Sequence, residues 1–129
     1  MAVVIGYIPT PEGRAALVYG KEEALRRQAK VFIVYTPETS LDETLTHDNV
    51  VGEFQSELER AGLQSEIRSR VSRNSPAEDL IEVANDVGAE AIVIGLRRRS
   101  AVGKLILGSS SQQILLDAPC PVIAVKAQL

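Results

Sequence analysis

A chain of 129 residues, 45% hydrophobic and 24% charged, is expected to form one globular domain, 1–129, with a real core. Its formal net charge of -3 argues against a chain-wide basic face for nucleic acid, and two Phe, three Tyr and no Trp leave few stacking platforms for single strands. The single cysteine, Cys120, excludes an internal disulfide, and no window approaches the ~20 apolar residues of a membrane span, so a soluble, cytoplasmic protein is expected.

In chain order, Ala2–Ile8 is a near-continuous apolar run, as in a strand buried on both faces. It lacks the charged start of a signal peptide. Thr10 and Pro11 supply a cap and a first position for a helix running to about Gln28. Its expected buried stripe is Ala16, Leu17, Gly20, Ala24 and Leu25, with Lys21, Glu22, Arg26 and Arg27 in water. A mid-helix glycine costs roughly 1 kcal/mol against alanine, so Gly20 points to close packing. Val31–Tyr35 reads as a second buried strand. The polar segment 36–49 has no clear period and reads as a loop, with a helical start near Leu41 as the alternative. Val51, Phe54, Leu58 and Ala61 then share one helix face, and Gly62 supplies a stop.

Leu63–Val71 alternates: Leu63, Ile67 and Val71 on one face, Gln64, Glu66, Arg68 and Arg70 on the other, as in an edge strand. Ser75, Pro76 and Glu78 form a capping-box start for a helix with the stripe Ala77, Leu80, Ile81, Ala84 and Val87, ended by Gly88. Ala89–Ile94 is a fourth strand. Ser109 and Gln112 repeat the capping-box spacing before a last helix, Pro119 and Pro121 break it, and Val122–Val125 closes the chain as a strand. Strands alternating with helices call for a parallel sheet with right-handed crossovers and helices on both faces.

In such a sheet, ligands sit beyond the carboxyl ends of the strands where the strand order reverses. The loops after Ile8 and after Ile94 are the candidates. In the second, Gly95 lets backbone approach backbone or ligand, and Gly108 precedes a helix start. The free N–H groups of Ser109, Ser110 and Ser111 favour an anion there. Arg97, Arg98, Arg99 and Lys104 either add charge for a phosphate or form a solvated arm. The segment is not a Walker loop, because Gly103-Lys104 precedes Leu105 rather than Ser or Thr.

These residues resemble the universal stress protein family over essentially the whole chain. The most specific part is Ile92–Leu116 followed by APCPVIAVK. ATP-binding members show Gly, two residues, Gly, nine residues, Gly, then Ser or Thr; Gly95 matches the first glycine, and Gly108-Ser109 the last pair. The resemblance implies an open five-stranded parallel sheet of the adenine nucleotide alpha hydrolase-like kind, with strand order 3-2-1-4-5. It also implies a homodimer paired through the last strand, Val122 to Lys126. Two positions depart from the pattern. Arg98 stands where the second glycine is expected, and Ile8 stands where ATP-binding members carry an aspartate that contacts the nucleoside.

The expected function is therefore a small stress-response regulator that binds an adenine nucleotide, ATP or AMP, with magnesium only if ATP is bound. Gly95, Arg97, Arg98, Gly108, Ser109 and Ser110 would hold the phosphates. Ile8, Pro9 and Thr10 would line the nucleoside side, Tyr35 would close the adenine pocket, and Ile94 would border the site. The alternative is a dimeric interaction module that has lost the ligand. No nucleophile, general base or metal cluster is legible, so no enzyme is expected; a slow ATPase ranks last. His47 stands alone and is given a surface or helix-start role, Cys120 a packing role, and Glu12, Glu78 and Asp79 roles as helix-dipole partners.

Overall fold

Four runs rich in Val, Ile and Ala line up side by side, and a fifth, the alternating polar segment SEIRS, takes a sheet edge. A computed structural model describes residues 1–35, 41–69, 75–96 and 108–127. The elements are β1 (Ala2–Tyr7), α1 (Pro11–Arg27), β2 (Lys30–Tyr35), α2 (Leu41–Arg60), β3 (Ser65–Ser69), α3 (Pro76–Val87), β4 (Ala91–Leu96), α4 (Ser109–Asp117) and β5 (Val122–Lys126). The strands form one parallel sheet in the order β3-β2-β1-β4-β5. This is the expected fold, with β3 at one edge and β5 at the other.

Alternation along the strands splits the core into two layers. Val3, Ile5 and Tyr7 pack with Leu17, Val51, Phe54 and Leu58, so α1 and α2 cover one face. Val4, Phe32, Ile92 and Ile94 pack with Leu80, Val83 and Ile114, so α3 and α4 cover the other. Gly20 is where α1 lies against the sheet, since a β-carbon there would collide with the Ile5 side chain. Among the described residues, no helix is long and apolar enough to cross a membrane.

The helix signals hold at their starts and stops. Thr10 Oγ1 accepts from Gly13 N at 3.0 Å, and Ser75 Oγ accepts from Glu78 N at 3.2 Å. Gln28 and Gly88 close α1 and α3 in the left-handed conformation. Several expectations need correction. Of the two readings of the polar segment, the helical start near Leu41 holds in place of the loop, because Val51, Phe54 and Leu58 fix α2 to the core and the helix extends upstream of them. Leu25 is 43% exposed, at the margin of the α1 stripe, and Ala61 lies exposed past the end of α2. Ile67 is 39% exposed because β3 is an edge strand. On α3, Ile81 and Val87 are half-buried, while Val83 is fully buried. β4 begins and ends two residues later than expected, which places Gly95 inside the strand.

Candidate functional site

The chain steps from β1 outward to β3 and then returns to β4 beside β1. That reversal opens a crevice at the carboxyl ends of β1 and β4. Pro9 and Thr10 follow β1 here, half-buried, and Ile8 is 36% exposed. Thr10 turns the chain: its N–H donates to Ile8 O at 2.8 Å, and its hydroxyl caps α1. Two glycines then bring backbone onto backbone. A β-carbon on Gly13 would collide with Ile8 O, and one on Gly95 would collide with Glu12 O and lie 2.6 Å from its carbonyl carbon. Of the two roles open to Gly95, close approach of backbone is the one its surroundings require. Ile8, Pro9, Thr10 and Gly95 are thus gathered at two adjoining strand ends.

The start of α4 lies at the same sheet edge, since α4 leads into the parallel strand β5. The N-cap is Gly108 rather than Ser109, and it makes no side-chain capping bond. Ser109 is instead the first helical residue. Gly108, Ser109 and Ser110 are all exposed. A helix start with no side-chain cap presents N–H groups and the positive end of its dipole, an arrangement suited to an oxyanion. Arg97 and Arg98 lie outside the described residues.

Two expected site residues sit deeper. Ile94 is 5% exposed in the α3/α4 layer, where its side chain approaches Gly6 alongside Leu80. Tyr35 is 3% exposed in the α1/α2 layer, across from Tyr7 in the β1–β2 register. Their ring centroids are 6.1 Å apart and tilted by 33°. Both residues support the crevice from below rather than opening into it.

Two buried polar groups escaped the sequence reading. The Tyr7 hydroxyl is buried without a hydrogen-bond partner among the described residues. Burial raises its pKa above the usual phenol value, partly opposed by the charge of Arg14. Asp79 stands in the first turn of α3, as a helix-dipole partner does, but it is fully buried, and neither carboxylate oxygen has a hydrogen-bond partner among the described residues. A signal for it existed. Pro76, Asp79, Leu80 and Val83 fall at i, i+3, i+4 and i+7, which is the spacing of a buried helix face.

The remaining chemistry lies elsewhere or outside the description. Met1, Arg26, Arg27, Glu90, Pro119 and Cys120 line an open cleft of about 730 Å³ at the opposite, amino-terminal ends of the strands. Burial pushes the Cys120 thiol pKa up, partly offset by Arg27, which is near in space though distant in sequence. Among the described residues, no three His, Cys, Asp or Glu side chains group as a metal site. The His47 side chain lies outside the described residues.

A five-stranded parallel sheet whose strand order reverses between β1 and β4, with helices on both faces, defines an open, doubly wound α/β protein. The profile of the universal stress protein family matches residues 1–126. A universal stress protein of Mycolicibacterium smegmatis is 37% identical over 126 residues, 96% of each chain. The structure of a universal stress protein from Archaeoglobus fulgidus is 30% identical, covers 98% of both chains and has a TM-score of 0.80. Another structure from that organism, a complex with dAMP, is 26% identical over 98% of both chains with a TM-score of 0.74. This chain belongs to the universal stress protein family.

Proposed function

We propose that this chain is a stress-response regulator that binds an adenine nucleotide, ATP or AMP, across the carboxyl ends of β1 and β4. The observation that carries the reading is the exposed, uncapped start of α4 at the edge where the strand order reverses. The dAMP complex of an Archaeoglobus fulgidus relative supports the same ligand class. In this reading the N–H groups of Ser109 and Ser110 and the hydroxyls beside them receive the phosphates, with Arg97 and Arg98 adding charge. Ile8, Pro9 and Thr10 form the nucleoside wall, backed by Ile94 and Tyr35.

The residues fit the two halves of the ligand unequally. The phosphate end has donors and a favourable dipole. At the nucleoside end, the aliphatic Ile8 accepts no hydrogen bond, and a missing partner of this kind costs about 1–3 kcal/mol. Weak selectivity for base and sugar follows. Binding, not turnover, is the proposed activity, with magnesium entering only with ATP. The protein acts as a single cytoplasmic domain that forms a homodimer through the β5 edge. Titration calorimetry with AMP and ATP tests the reading: millimolar affinity or better supports it, and the absence of heat with both refutes it.

A second reading, an interaction module without ligand, draws on Ile8 and on the packed state of Tyr35. Mass spectrometry of small molecules released from denatured protein separates the two. An adenine nucleotide favours the first, and its absence favours the second.

A further inference from the structure

We infer that self-pairing at β5 is completed by a charged lock in which Lys126 of each copy meets Asp117 of the other, beside two facing α4 helices. This rests on the reading of β5 as the homodimer edge. Side chains alternate along β5: Val122 packs with the α3/α4 layer, and Ile123 and Val125 with the α1/α2 layer. Ala124 and Lys126 therefore share the α4 face, and both are exposed. The outer edge of β5 has no strand beside it among the described residues.

An identical strand pairs with itself across a two-fold axis only in the antiparallel sense. With Ala124, the midpoint of β5, on that axis, Lys126 stands opposite Val122 of the other copy. Directly opposed side chains lie on the same face of the sheet. Val122 follows closely on Asp117, the last residue of α4, which is exposed. Each Lys126 is thus carried to the end of the other copy's α4. Among the described residues, neither Lys126 nor Asp117 takes part in an ion pair within the chain. The same axis sets the two α4 helices on one face of a continuous sheet. α4 buries only Ile114, while Leu115 is 42% and Leu116 83% exposed. A lysine and an aspartate of opposite charge, with adjacent exposed leucines, make this surface complementary to itself.

Sedimentation velocity across a concentration series tests the lock. Lys126→Glu turns two attractions into two repulsions and is expected to weaken the dimer about tenfold. The charge-swapped double variant, Asp117→Lys with Lys126→Glu, is expected to recover to within about threefold of the parent. Circular dichroism establishes that each variant is folded. A parent chain that stays monomeric at every concentration overturns the β5 reading and the lock with it. A dimer indifferent to Lys126→Glu, or a double variant as weak as the single, overturns the lock alone.

Discussion

Gly95 and Gly108 both match the spacing of one nucleotide-binding motif, yet they differ in what surrounds them. A β-carbon on Gly95 meets the Glu12 backbone, which has no side-chain freedom to yield, whereas one on Gly108 meets nothing within 4 Å. Gly95→Ala is expected to lower the unfolding free energy by about 1–3 kcal/mol in urea titrations. Asp79 poses the opposite case. A buried carboxylate without a partner costs more than a buried amide of the same shape. Asp79→Asn is expected to raise stability by about 1 kcal/mol in the same titrations; a loss of stability would instead reveal a counter-charge beyond the described residues. For Cys120 the pKa is raised, so folding favours the neutral thiol. That contribution to stability is complete below the unfolded pKa and is lost as pH rises through the folded one. The thiolate is the nucleophile, so alkylation by iodoacetamide should require more alkaline pH in the folded chain than in urea. Identical profiles in the two states would refute this.

Among the elements, α4 is the one whose beginning has most chemical freedom. Gly108 has φ -66° and open space, so an aspartate fits there and can cap the helix. Gly108→Asp is expected to stabilise the fold by about 0.5–1 kcal/mol and to abolish nucleotide heat by repelling phosphate. Retained binding would move the phosphate site away from α4. The elements were legible in the sequence where punctuation is strong: Thr10 with Pro11, Ser75 with Pro76, Gly88, and the prolines flanking Cys120. α2 was obscured because its first turns are rich in Thr, Asp and Asn, poor helix formers on their own. Its helicity comes from downstream anchoring at Val51, Phe54 and Leu58. The end of β4 was missed because Gly95 reads locally as a breaker, while the pairing of Gly95 with Val125 and of Leu96 with Lys126 continues the strand. Spacing found the positions bordering the candidate site, but burial was not legible from it. The full burial of Asp79 and of Tyr35 was not foreseen, because burial depends on which layers close over a side chain.

For the whole molecule, any ligand that binds only the folded chain adds stability by mass action. At a concentration 100-fold above its dissociation constant, a nucleotide should add about 2.7 kcal/mol and raise the melting temperature accordingly. An unchanged melting temperature under those conditions would contradict binding measured by calorimetry. The two half-cores meet through a single sheet, so this added stability should reach both helical layers. One earlier feature bears on the character of that binding. The Ile8 backbone lies close against Gly13, and the Glu12 backbone and β-carbon lie close against Gly95. The crevice between β1 and β4 therefore has a prefabricated floor whose shape is set before any ligand arrives. A ligand seated on it would lose little free energy to ordering this backbone, so more of its contact energy would remain as affinity.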